Sequence, residues 1–280
     1  MKNVLALLAF APLLAGAETE TIRKTFTFPD AAAPRRMEVD NVNGNIRVTG
    51  HAGANLEVTV SKSIHADSPA DAEEAKRDVK LDMSQTANVV RLYVDGPFRC
   101  NCRDGESGTR RHGRERYQVK FDFEINVPPG VALDLRTVND GEIRVNGTSG
   151  DFDVDNVNGG VEMLEIAGSG RVHALNGKVK VVFARNPAAN SFFGSLNGDV
   201  DIAFRPNLSA DVRVKTFNGG VFTDFPVESL PTQQAAPERK DGKFVYRSNE
   251  FKGLRIGRGG PEYKFDAFNG NIHILNRGQQ

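Results

Sequence analysis

The chain has 280 residues with 36 basic and 36 acidic side chains, a balance that excludes a general electrostatic pull toward nucleic acid or anionic membrane. An apolar fraction of 39% beside a charged fraction of 26% excludes a disordered chain and fits a globular one. With no Trp and four Tyr, the chain is short of the aromatic platforms that glycan clefts usually offer.

Residues 1–17 read as an export signal, with Lys2 as the positive start, 4–14 as the apolar run and Ala15-Gly16-Ala17 as the small-residue cleavage site. That run is too short to span a bilayer, and no other stretch is longer. The mature chain is therefore expected to begin near Glu18 and to be soluble, periplasmic or at the cell surface, with no transmembrane segment. Residues 18–130 read as an N-terminal β-rich part. Within it, 19–62 alternate strongly, as at Phe26 and Phe28 and at Leu56, Val58 and Val60. Residues 68–78 open with Ser-Pro-Ala-Asp-Ala-Glu-Glu and read as a short capped helix. Two further strands, 89–94 and 117–127, flank a polar loop, 98–116. Residues 131–280 hold the main repeats, interrupted at 226–262 by a Pro-rich surface insertion that is partly ordered around 244–246 and 254–256. The last repeat is expected to close the C-terminal end.

The repeats carry the strongest signal. An apolar-Asn-Gly tripeptide recurs at Val42-Asn43-Gly44, Val157-Asn158-Gly159, Leu175-Asn176-Gly177, Leu196-Asn197-Gly198, Phe217-Asn218-Gly219 and Phe268-Asn269-Gly270. Val138-Asn139-Asp140-Gly141 carries one extra residue. Four residues before each Asn stands Val39, Leu135, Val154, Val172, Phe193, Val214 or Phe265. Three after it stands Ile46, Val161, Val179, Val200, Val221 or Ile272, with Ile143 shifted by one. From Asn139 to Asn218 the steps are 19, 18, 21 and 21 residues, the period of a stacked repeat.

Asn-Gly between strands usually marks a hairpin, in which the flanking residues share a face. Here the residue before Asn is always apolar and the residue after Gly never is a large apolar one, so a hairpin is disfavoured. A strand–corner–strand arc fits better: the −1 residue tucks inward, Asn-Gly supplies a corner permissive of positive φ, and a new strand points inward at +3 and +5. Coils of about 20 residues are too short for a strand–helix–strand unit. The expected fold is all-β, a right-handed parallel β-solenoid, with handedness taken from the crossover rule. In this register Val154, Val172, Phe193 and Val214 form one inward stack, and Lys178 and Lys180 lie beside Asp199 and Asp201.

These repeats, following a signal peptide and a Val-Pro-Pro-Gly-Val segment at 127–131, resemble a bacterial family of exported or envelope-associated proteins of unknown function, labelled putative adhesins. The resemblance covers roughly 35–278. It implies a β-solenoid-like fold, a binding or structural role in the cell envelope, an envelope protein or glycan as partner, and no established enzymatic activity or cofactor. The family brings no functional residues to carry over.

Candidate chemistry is sparse. Cys100 and Cys102 are the only cysteines, and in an oxidising compartment they are expected to be oxidised. Two residues apart, they leave open a strained internal bridge or a bond to a second chain. A metal site would need more ligands than His112 supplies. Arg99, Arg103, Arg110, Arg111, Arg114 and Arg116 share the loop with Asp104, Glu106 and Glu115, and read as a weak anionic-ligand patch or as a solvated loop tip. Asp151, Asp153 and Asp155, with Asp199 and Asp201, are where a glycan-active β-helix enzyme would place its carboxylates, and such an enzyme is the alternative reading. Charge pairing between neighbouring strands explains the same residues without catalysis. No nucleophile elbow, zinc-protease motif or phosphate loop is present in the sequence.

Overall fold

The computed structural model describes residues 18–30, 32–101, 107–109, 116–231, 238–240, 243–245 and 251–279. The export signal lies outside these residues. The architecture is all-β, with one α-helix, Pro69–Asp78, and a 3-10 turn at Arg277–Gln279 among the described residues. Ser68 caps that helix by accepting the Asp71 N–H, and Pro follows directly, as the sequence implies.

Most strands join two large sheets. The first runs Glu18–Thr27, Asn55–Ala66, Tyr117–Val127, Ile46–Gly50, Ile143–Asn146, Val161–Ile166, Val179–Phe183, Val200–Phe204, Ile272–Asn276, Val221–Thr223. The second runs Val227–Leu230, Lys252–Ile256, Ala210–Asn218, Glu262–Asn269, Ser191–Asn197, Gly170–Asn176, Phe152–Asn158, Ala132–Thr137, Arg36–Asp40, Val89–Asp95, Lys80–Thr86. Both are mixed, which corrects the expectation of a uniformly parallel stack. The repeat strands pair in parallel. Antiparallel strands close both ends of the second sheet and one end of the first.

The −4 column forms as the spacing implies: Val39, Leu135, Val154, Val172, Phe193, Phe265 and Val214 are successive partners, all buried. The +3 column, Ile46, Ile143, Val161, Val179, Val200 and Ile272, faces it across the interior and is fully buried. Larger rings thicken this core toward the later repeats. Phe204 stacks on Phe183 at 5.3 Å and on Tyr263 at 5.4 Å. The Tyr263 hydroxyl donates to the Pro187 carbonyl at 2.6 Å, and burial pushes its pKa up to about 12.

The order of the repeats differs from their order in the sequence. The Asn269 repeat does not close the end of the stack. Its strands lie between those of the Asn197 and Asn218 repeats in both sheets, so Phe265 separates Phe193 from Val214. The insertion allows this: after the Asn218 repeat, Val227–Leu230 and Lys252–Ile256 continue the second sheet outward, and the chain then returns one level inward.

The Asn-Gly corner also works differently from the expectation. Of the glycines that directly follow an Asn of the repeats, Gly44 alone has a left-handed φ, 118°. The others are required by close approach. A Cβ on Gly177 would lie 2.2 Å from the Gly159 carbonyl oxygen, and one on Gly198 2.3 Å from that of Gly177. The backbones of successive corners touch, and only glycine lets them.

Candidate functional site

The strands of the second sheet run on through Asn, as Phe152–Asn158 and Ser191–Asn197 do. Alternation therefore continues: −4 and −2 point inward and −1 points out. After the first copy, the −1 residues do not tuck inward. Val42 is buried, Val138, Val157 and Leu175 are half-buried, and exposure then rises to 39% at Leu196, 44% at Phe268 and 71% at Phe217. The inward −2 residues are small or polar. Thr137 donates to the Gly44 carbonyl at 3.1 Å, Asn156 to that of Gly141 at 3.0 Å, and Ser195 to that of Gly177 at 2.8 Å. These bonds help satisfy the corner carbonyls, that of Gly44 together with the Asn41 side chain at 3.1 Å.

Between the −1 row and the corner glycines runs a ladder of side-chain amides. Asn158 donates to Asn139 at 3.0 Å, Asn176 to Asn158 at 2.9 Å, Asn197 to Asn176 at 2.8 Å, Asn269 to Asn197 at 2.7 Å and Asn218 to Asn269 at 2.8 Å. Sequence reasoning gave these asparagines a turn role only. The signal for the ladder was already present, since Asn holds one register in every copy.

On the outer face of the first sheet, Arg144, Glu162, Lys180, Asp201, His273 and Phe222 are successive partners. Lys180 pairs with Glu162 at 3.0 Å, away from Asp201. Asp201 instead takes Lys178 diagonally and His273 Nδ1 at 2.6 Å. Burial opposes ionisation of Asp201, but the hydrogen bonds and charges of Lys178 and His273 outweigh it and hold the carboxyl below its ordinary range. Asp199 accepts the Asn271 N–H at 2.8 Å. The sequence expectation of Lys178 and Lys180 beside Asp199 and Asp201 is thus met for one close pair, Lys178 with Asp201.

The carboxylates of the second sheet are likewise engaged. Arg171 lies 3.4 Å from Asp153 and 2.8 Å from Asp155, and His173 lies 3.4 Å from Asp155. Burial again opposes ionisation of Asp155, and the bonds from His173 and Arg171 outweigh it and lower its pKa. Asp151 accepts the Ser169 N–H at 3.0 Å. A general acid needs a raised pKa, and the shifts at Asp155 and Asp201 run the other way.

Of the predicted loop residues, Cys102, Arg103, Arg110, Arg111 and Arg114 lie outside the described residues, as does the side chain of Cys100. Arg99 is a structural side chain. It is 2.9 Å from Asp40, donates to the Val94 carbonyl at 2.9 Å and lies over the Tyr93 ring. Arg116 is exposed, 3.9 Å from Asp71.

Of the large apolar side chains exposed among the described residues, Leu196, Phe268, Phe217 and Phe222 belong to the last three repeats of the stack, and Val227 to the edge strand outside them. Phe217 lies parallel to Phe268, centroids 4.9 Å apart, and Phe222 stacks on His273 at 5.1 Å. Among the described residues, no ring stacks on the other face of Phe217 or Phe222. Beside them, Val221–Thr223 is the edge strand of its sheet. Gly220 and Asp224 bond inward to Ile272 and Ile274, and the alternation of a parallel ladder turns the N–H groups of Val221 and Thr223 toward the free edge.

No family model matches the chain, and no curated protein matches it. Among solved structures, the chain is similar to a "putative cell adhesion protein" from Clostridium sporogenes, with 13% identity, TM-score 0.42, and coverage of 93% of this chain and 100% of that one. It is also similar to a "putative adhesin" from Bacteroides fragilis, with 11% identity, TM-score 0.38, and coverage of 92% and 97%. A "putative lipid binding protein" from Parabacteroides distasonis follows at 9% identity and TM-score 0.25, covering 91% and 96%. No helix of the described residues is long and apolar enough to cross a membrane.

Proposed function

We propose that the chain is an exported, non-enzymatic binding module of the bacterial cell envelope, a right-handed β-solenoid that holds a protein partner at the Phe217–Phe222 end. The gathering of exposed apolar side chains at that end, beside a free strand edge, carries the reading. A strand from a partner protein meets both features, bonding the edge and laying side chains on the ring faces. A glycan meets only the rings. The engaged carboxylates supply no acid–base pair, which favours binding over cleavage.

The test places a photo-crosslinking residue at Phe222 in the full chain, expressed in its native cells. The expected result is an N-terminus near Glu18 and a protein adduct that is absent when the probe replaces Gln85, at the opposite end of the stack. Thr223→Pro, which removes an edge N–H and the hydroxyl that accepts the Phe225 N–H, is expected to abolish the adduct in a chain that still melts cooperatively, whereas Thr223→Val, which removes the hydroxyl alone, should keep it. Adducts independent of the edge variant, adducts only to glycan or lipid, or release of reducing ends from a polysaccharide that Asp155→Asn abolishes, contradict the proposal.

A further inference from the structure

We infer that Asn218-Gly219 is a site of spontaneous modification, where the asparagine loses its side-chain amide through a cyclic imide while the ladder keeps the Asn158, Asn176, Asn197 and Asn269 copies unreactive. The reaction needs only water. The Gly219 backbone nitrogen gives up its proton and attacks Asn218 Cγ. A C–N bond forms, the Cγ–Nδ2 bond breaks, and ammonia leaves with the proton. Water then opens the five-membered imide at either carbonyl, giving aspartate or isoaspartate, with no change of oxidation state.

Attack requires the side chain to swing out of the ladder. Asn158, Asn176, Asn197 and Asn269 are each held twice, donating to one neighbour and accepting from the next. Asn218 ends the ladder. It donates to Asn269, and its Oδ1 receives no hydrogen bond among the described residues. The nucleophile is more open to solvent than in the other copies. The N–H groups of Gly44, Gly198 and Gly270 donate to the Asn139, Asn269 and Asn218 carbonyls at 3.0–3.1 Å. No described level lies beyond Gly219 in this column; its N–H, like those of Gly159 and Gly177, has no backbone acceptor among the described residues, and it is the one exposed glycine of these corners.

The chain contains its own control. Residues 158–161 and 218–221 both read Asn-Gly-Gly-Val, so intrinsic sequence reactivity is matched and the fold alone separates them. The product carboxylate arises next to Phe217, within the apolar end. The inference does not depend on the proposed partner.

The experiment incubates the folded full chain in ¹⁸O-water at mildly alkaline pH and maps its peptides by mass spectrometry, with a parallel sample in urea. In the folded chain, Asn218 is expected to convert at least about fivefold faster than Asn158, the factor contributed by one neutral hydrogen bond of about 1 kcal/mol. In urea the two rates should converge. Asn176→Ser, which removes the donor to Asn158, should raise the Asn158 rate in a chain that still melts cooperatively. Equal folded rates, a difference that persists in urea, or an Asn158 rate indifferent to Asn176→Ser would each overturn the inference.

Discussion

Asp201 stands one strand from His273, with its Oδ1 2.6 Å from the imidazole Nδ1, and the same carboxylate receives Lys178 from the other side. These two partners, from the levels on either side, make this carboxylate the meeting point of three levels of the stack. Its lowered pKa sets the sign of a pH effect. A carboxyl whose folded pKa lies below its unfolded value contributes fully above the unfolded value, about 3.9 for Asp, and loses that contribution as pH falls through the folded one. The wild-type chain should therefore lose stability below about pH 4 partly through Asp201. Asp201→Asn should lower Tm at neutral pH and flatten the acid limb; scanning calorimetry across pH checks both.

The pairing around Asp201 also fixes which charges couple. Lys178 with Asp201, and Lys180 with Glu162, should each show a coupling of up to about 1 kcal/mol in double-mutant cycles, since these are partly exposed pairs. Lys180 with Asp201 should show almost none, although their Cα atoms are partners. Urea denaturation of the single and double variants measures all three.

In the core, Phe193 is fully buried between Val172 and Phe265 and meets the rings of Phe183, Phe204 and Phe265. Phe193→Ala should cost about 3–5 kcal/mol by equilibrium unfolding, with an unchanged m-value.

Two glycines separate close approach from backbone strain. At Gly177 a new Cβ meets the Gly159 carbonyl at 2.2 Å, whereas Gly147 has φ 68° and nothing within 4 Å. Gly177→Ala should cost about 3 kcal/mol or more, the upper end for overpacking. Gly147→Ala should cost about 1–2 kcal/mol, the left-handed penalty alone. Chemical denaturation of both variants decides whether the corner glycines serve space or conformation.

Spacing alone made the interior legible. An apolar residue at −4, +3 and +5 in nearly every copy can only be a column, and Val154, Val172 and Phe193 occupy it as read. The exterior was misjudged at one step: the strand was assumed to end near −4, so the −1 row was turned inward and the exposed Phe217 and Phe268 were missed. Extending the period of two by three residues turns that row outward. The place of the Asn269 repeat was not legible, because identical apolar columns allow any copy to stack on any other. Lys80–Thr86 escaped notice because an edge strand with almost no buried side chain shows little alternation.

The apolar end exists only if the Asn269 repeat lies inside the Asn197 and Asn218 repeats, and disulfide trapping tests that order most directly. With Cys100 and Cys102 replaced by Ser, cysteines at Phe192 and Lys264 occupy partnered positions on adjacent strands about 4.8 Å apart, within the Cα span of a disulfide. Cysteines at Phe192 and Arg213 lie two strands apart, about 9.6 Å, beyond that span. Oxidation should bridge Phe192→Cys with Lys264→Cys and leave Phe192→Cys with Arg213→Cys as free thiols; the reverse outcome would put the Asn218 repeat against the Asn197 repeat and contradict the account.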